Sequence, residues 1–366
     1  MEKRAAVLRA QFPAGRRVLA ISDIHGNLPF LKGLLQTARV TGDDILVLVG
    51  DLIEKGPDSL GTLRFLMELS KHQTVYALSG NCDSLVAEFA HGAQLPQSFY
   101  HHYLGVWGER SLLLQMARAA GYAGQAPHDL EEMRRRLRAR FPAELAWLSA
   151  MPTILVNEHY LFVHGGVPRE TDLERLSAWH CMKNDDFLNQ GHHFSRWCVV
   201  GHWPVTLYNP DVPSAAPLLD GESRIASIDG GCVLKLDGQL NALILPEEPG
   251  GAFSWAAYDG LPKAAALDAQ APSERSINIR WGHNRVELLS HGGEFSRCRH
   301  LETGWELDIL NSYLYEEDGM LKCEDSTDYH LPVEPGDVLS VVRRVRGGCL
   351  AKKEGVTGWY FGRLAE

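Results

Sequence analysis

At 366 residues the chain exceeds one ordinary domain and suggests two. A hydrophobic fraction of 45% and a charged fraction of 22% exclude a disordered or fibrous protein. The net charge of −10 provides no general attraction to nucleic acid or an anionic membrane, and no run of apolar residues is long enough to span one.

The segment 1–16 is basic, lacks the apolar stretch of a signal peptide and is expected to form a short helix. The first strand is Val18 to Ile21, followed by a crossover helix over Leu28 to Val40 and a second strand, Ile45 to Val49. Both strands are short, β-branched and leucine-rich, as strands buried on both faces are. Each ends in acid and imidazole chemistry, in SDIHGN and GDLIEKG, so Asp23, His25 and Asp51 sit at strand C-terminal ends. A further helix over Pro57 to His72 leads to the strand Thr74 to Leu78 and the motif GNCD, which carries Asn81.

From about 84 to 150 the sheet pattern lapses into a helical insertion, with helices expected around Leu112 to Ala117 and over Leu130 to Leu148. Its arginine run, Arg134 to Arg140, follows Asp129, Glu131 and Glu132 and reads as a solvated helix face, not a nucleic-acid patch. The cluster Phe99, Tyr100, His101, His102, Tyr103 and Trp107 serves the packing of the insertion or contacts the non-phosphate part of a substrate. Two more strand-plus-ligand fragments follow: HYLFVHGG supplies His164 and WCVVGHWP supplies His202. Arg224 to Asp229 and Leu240 to Leu245 read as strands joined by a hairpin turn.

Residues 247–276 read as a linker, and 277–366 as a small all-β module of short alternating strands. Within it, His291 repeats the His-Gly-Gly pattern without a preceding apolar strand and reads as a turn residue. The seven cysteines (82, 181, 198, 232, 298, 323 and 349) form no CxxC pair and are odd in number, which favours reduced thiols and a cytoplasmic location.

Two divalent ions about 3.5–4 Å apart clamp a phosphate ester and deliver a hydroxide in line with the leaving group. One carboxylate must reach both ions, and Asp51 is the best candidate. Asp23 and His25 then serve the first ion, and Asn81, His164 and His202 the second.

The order SDIHGN, GDLIEKG, GNCD, HGG, GHWP resembles the calcineurin-like metallophosphoesterase superfamily over residues 17–246. HGG and the later IDGG resemble its phosphoprotein-phosphatase branch, in the bacterial Ser/Thr phosphatase and diadenosine-tetraphosphatase forms. The resemblance implies a four-layer αββα sandwich within an α/β (α+β) fold class. It also implies two metals, manganese with iron or zinc as alternatives, and hydrolysis of a phosphorylated small molecule or phosphoprotein without a covalent intermediate. The closing segment GVTGWYFGRL resembles a bacterial Src-homology-3-like barrel, which would offer a surface to a protein partner.

Three positions depart from the branch pattern. Cys82 stands where the branch has the His that protonates the leaving group, Glu54 where an Asp supports that His, and Lys55 where an Arg grips phosphate. A second phosphate-binding Arg has no clear match; Lys183, or Arg169 just after His-Gly-Gly, is the nearest cation. Cys82 is therefore a neutral wall residue, a sign of a substrate whose leaving group needs no proton, or a redox control point. GNCD also occurs in small bacterial phosphodiesterases, which makes phosphodiester hydrolysis an alternative. A non-enzymatic alternative keeps the cations for structure and presents the C-terminal module to a partner.

Overall fold

The structure is a computed structural model that describes residues 3–93, 96–122, 130–248 and 250–365. The contacts divide it into two units. The first comprises Met1–Trp203, Pro217–Val233 and Leu240–Tyr258; the second comprises Pro204–Ala216, Leu234–Gln239 and Asp259–Glu366.

In chain order the first unit contains β1 (Val7–Arg9), β2 (Val18–Ile21), α1 (Leu28–Thr37), β3 (Ile45–Val49), α2 (Ser59–Leu69) and β4 (Thr74–Leu78). The helical insertion follows as α3 (Leu85–Ala90), α4 (Gln97–Trp107), α5 (Leu112–Ala119), α6 (Leu130–Arg140) and α7 (Pro142–Ala150). Next come β5 (Ile154–Val156), β6 (Tyr160–Val163), α8 (Ala178–Met182), β7 (Trp197–Val200), β8 (Leu218–Asp220), β9 (Ile225–Ser227), β10 (Leu240–Ile244) and β11 (Ser254–Tyr258).

Two sheets result, ordered β11-β10-β2-β3-β4 and β1-β5-β6-β7-β9-β8. Strands β2, β3 and β4 are parallel, because each crossover is a helix whose start is capped: the Asn27 side chain accepts from Phe30 N, and Asp58 from Gly61 N. Alternate residues point to opposite faces of each strand. Ala20, Val47 and Leu243 of one sheet thus share an apolar cluster with Phe162, Val199 and Ala226 of the other. Leu19, Leu46 and Leu48 point the opposite way into a cluster with residues of the helices, and Leu161, Val163 and Val200 into a third. The site emerges from this layering, since β2, β3 and β4 end in one sheet and β6 and β7 in the other.

Several expectations are corrected. The segment 1–16 carries a strand, β1, paired in parallel with β5; it has no helical apolar stripe, and Pro13 and Gly15 break it. The strands β9 and β10 do not form a hairpin, because β9 pairs with β7 and β8 while β10 pairs with β2 and β11. The helix expected over Leu130 to Leu148 is two helices, divided at Phe141 with Pro142 opening the second. In α6 the Arg135 and Arg136 side chains pair with Glu132, as a solvated face would, but Arg134 is buried over the Phe89 ring and donates to Phe89 O and Ala93 O. Asp129 and the side chains of Tyr100 and His101 lie outside the described residues. The stretch 247–276 is not plain linker: β11 extends the first sheet, and Lys263–Ala265 pairs with Val338–Val345.

The second unit is rich in strands. Lys263–Ala265, Val338–Val345, Gly348–Lys353 and Val356–Tyr360 form one antiparallel sheet, and Val286–Ser290, Phe295–His300 and Glu306–Leu310 another. Two apolar clusters fill it, one around Ile279, Leu307 and Trp359, the other around Leu339, Ala351 and Tyr360. Among the described residues, no helix is long and apolar enough to cross a membrane.

Candidate metal centre and active site

The side chains singled out at the ends of β2, β3, β6 and β7 converge. Asp23 and Asp51 each lie two residues past a strand, at β2 and β3, whose register sets Ile21 level with Leu48. His164 directly follows β6, His202 lies two past β7, and Asn81 three past β4. Asp23, His25, Asp51 and His202 all adopt positive φ, from 49° to 68°. Non-glycine residues held there store about 1–3 kcal/mol each, which persists only where the surroundings over-determine the turn.

Two motif glycines explain how the walls come so close. A Cβ on Gly80 would lie 2.2 Å from Asp51 Oδ1, and one on Gly201 2.4 Å from Asp23 Oδ2. No side chain fits at either place.

His164 Nε2 is 3.2 Å from Asp51 Oδ1, and its Nδ1 is 2.9 Å from Val49 O, so one ring nitrogen is oriented by the strand. His25 Nε2 lies 3.7 Å from Asp23 Oδ1 and 3.8 Å from Asp51 Oδ2. The His202 backbone N donates to Asp23 Oδ2 at 3.0 Å, and its ring lies 5.2 Å from that of His164. Ligating atoms of Asp23, Asp51 and His164 fall within 4.8 Å of one another, and so do those of His25, Asp51 and Cys82. Asp51 belongs to both triads.

The electrostatics call for positive charge. Burial and the Asp51 carboxylate raise Asp23 to about 6. For Asp51 itself burial works upward, yet His164 and Lys55 hold it well below the usual carboxylate range. Burial also opposes protonation of His164, but Asp51 and Asp23 push it up to about 10. His25 and His202 go the other way, lowered to about 3 and about 4, chiefly by burial. His25 Nε2 and the Asn81 Oδ1 are buried without a hydrogen-bond partner. Such orphans are costly unless something takes their lone pairs. Two acids, the imidazoles of His25 and His202 kept neutral by burial, and an amide oxygen are donors a divalent cation takes.

The surrounding residues divide. Lys55 Nζ is 3.9 Å from Asp51 Oδ2 and 6.0 Å from the Trp107 ring centre, so this cation overlooks the cage. Cys82 N donates to Asp51 Oδ1 at 2.9 Å, while burial, reinforced by Asp51, pushes its thiol up. Glu54 does not behave as a support for an acid at residue 82. Its carboxylate accepts from the Tyr103 hydroxyl and from Leu112 N at 3.2 Å, and burial raises it to about 8. It ties the loop of Lys55 to the helical insertion. Lys183 pairs with Asp185, and its Nζ is 3.2 Å from His202 Nε2. Arg169 is fastened in its own loop, with Nε donating to Thr171 O at 3.1 Å.

Sequence reasoning missed two neighbours. Asp83, fully buried, accepts from Leu52 N at 2.9 Å and Gly80 N at 2.8 Å and so locks two site loops together; its place as the acid of GNCD was the available signal. Asp185 Oδ1 lies 2.7 Å from His202 Nε2, and no spacing announced it.

The family model of the calcineurin-like phosphoesterases matches residues 16–215, more than half of the chain. The chain belongs to this family. Within the calcineurin-like phosphoesterases, it is 30% identical over 204 residues to a symmetrical bis(5'-nucleosyl)-tetraphosphatase of Salmonella paratyphi C, covering 54% of this chain and 60% of that one. It is 48% identical over 54 residues to serine/threonine-protein phosphatase 1 of Salmonella typhimurium, covering 14% of this chain and 25% of the relative. A crystal structure described as a putative diadenosine tetraphosphatase aligns over 70% of this chain and 100% of its own, with 20% identity and a TM-score of 0.43. The chain spans between about a quarter and three fifths of the length of these curated relatives.

Proposed function

We propose that the first unit is a dinuclear-metal phosphoesterase hydrolysing phosphomonoesters or phosphoanhydrides of the dinucleoside polyphosphate kind. The observation that carries this reading is the pair of triads sharing Asp51, beside the unpartnered His25 Nε2. Asp23, His25, Asp51, Asn81, His164 and His202 would hold the cations. Bound there, two divalent ions supply Lewis-acid charge that polarises the phosphate and acidifies water. Lys55 contributes a point charge to the non-bridging oxygens, without the bidentate fork of an arginine. The buried loops keep the acceptors fixed, so little reorganisation is needed as charge develops. All seven cysteines are free, in keeping with a reducing compartment such as the cytoplasm. The second unit, read as a Src-homology-3-like module, would serve a protein partner.

The test is hydrolysis of p-nitrophenyl phosphate by the full chain with manganese, iron, zinc, cobalt or nickel. Turnover with at least one of them, lost in His164→Ala, is expected; no turnover with any would sink the proposal. A phosphodiesterase reading is favoured by one observation, the thiol of Cys82 where an acid for a poor leaving group would stand. It predicts that bis-p-nitrophenyl phosphate is turned over faster than the monoester.

A further inference from the structure

We infer that Cys82 is itself a cation ligand, making one of the two positions a thiolate site selective for zinc, iron(II) or cobalt over manganese and magnesium. The inference rests on the phosphoesterase reading and specifies its metal. Ligating atoms of His25, Asp51 and Cys82 lie within 4.8 Å of one another. Atoms bound to one tetrahedral ion at about 2.0–2.3 Å lie about 3.3–3.8 Å apart, so closure takes side-chain movements of up to about 1 Å.

A second observation points to the same space. His25 is 1% exposed and its Nε2, facing Asp23 and Asp51, has no hydrogen-bond partner. An imidazole buried in that state is penalised unless a cation takes a lone pair. Cys82 presents the third donor of the triad. Its backbone N, bonded at 2.9 Å to Asp51 Oδ1, keeps it beside the shared carboxylate. Around its sulfur, Asn81 Nδ2 donates at 3.3 Å.

The chemistry is ligand exchange alone. The metal–sulfur bond forms as the thiol proton leaves to solvent, and nothing is oxidised or reduced. Direct coordination deprotonates a thiol outright, which overrides the burial that keeps the free group protonated. A thiolate shifts a mixed nitrogen and oxygen site towards softer ions. A residue that has lost the role of proton donor thus retains a place in an otherwise intact ligand set.

The experiment uses the full chain, stripped with chelator and reloaded with cobalt(II). A sulfur-to-cobalt charge-transfer band in the near ultraviolet is expected, and it should vanish in both Cys82→Ser and Cys82→Ala. In equilibrium dialysis the two variants should lose at least about tenfold in zinc affinity, with manganese affinity little changed. A measurement needing no variant is alkylation of Cys82 mapped by peptide mass, expected to be slowed by stoichiometric zinc and not by manganese. Two cobalt ions bound without the band, a band that survives both replacements, or no protection by zinc would overturn the inference and leave the proposed function standing. Failure of the wild-type chain to bind cobalt, zinc or manganese at all would overturn both.

Discussion

Each unit buries a group of charges, and the two groups are built on opposite principles. In the second unit Lys352, 2% exposed, lies 3.1 Å from Asp259 and donates to Asp237 O at 2.7 Å. Asp259 also accepts from Lys263 Nζ at 3.0 Å and Leu261 N at 3.1 Å. That cluster balances itself. In the first unit Asp23, Asp51, His25 and His164 share one enclosed space, with His25 and Asn81 left holding unpartnered atoms. Buried charge that is satisfied from within is structural, whereas buried charge that is left wanting a counter-ion marks a place where something else must bind.

The largest effect should come from breaking the unsatisfied group. Asp51→Asn removes the carboxylate common to both triads. Hydrolysis of p-nitrophenyl phosphate should fall on the order of a thousandfold, about 4 kcal/mol of transition-state stabilisation. Thermal melting of the metal-free protein should fall as well, because His164 and Lys55 lose the carboxylate that neutralises them. Turnover that survives the replacement would show that the cage is structural after all.

The converse is expected in the second unit. Lys352→Met or Asp259→Asn alone leaves its partner charge buried and should destabilise that unit by about 3–5 kcal/mol. Replacing both by apolar residues should recover most of the loss. Hydrogen exchange of the strand Gly348–Lys353 reads the change directly, while turnover measured well below the melting transition should stay at the wild-type value. A double variant as unstable as the singles would mean the pair is held for a reason other than mutual neutralisation.

This contrast also explains what could be read from the chain. The five strand ends that carry the candidate ligands were legible because strands buried on both faces are short apolar runs, and the change to Gly, Asp and His after Ile21, Val49 and Val163 is abrupt. The residues that orient the site were not legible in the same way. Glu54 was read through its position in the motif, but its partners, Tyr103 and Leu112, come from the helical insertion, and a linear pattern does not report a tertiary hydrogen bond. Lys183 was taken for a phosphate cation because nothing in the order of residues shows Asp185 folding back on it and on His202. The strand β1 escaped for a related reason: three residues, only partly apolar, become a strand because β5 offers an edge. The two units interleave along the chain, with Pro204–Ala216 and Leu234–Gln239 joining the second, so no composition shift could mark the boundary.

The smallest of these effects sharpens the contrast through pH. Burial works to raise Asp259, but Lys352 and the hydrogen bonds from Ser340 and Lys263 lower it from 3.8 to about 2. Because the folded-state value is depressed, the carboxylate's contribution is complete above its unfolded value near 4. It is lost as the pH falls through about 2, a contribution of about 2 kcal/mol. The excess exchange protection of the wild-type strand Gly348–Lys353 over Asp259→Asn, compared at matched pH, should therefore be constant from pH 8 to 5 and shrink between pH 4 and 2. A gap that instead shrinks on the alkaline side would assign the stabilisation to Lys352, whose own value burial lowers and Asp259 restores in part. The self-neutralising description of the second unit would then have to be replaced by one in which the lysine is the strained member.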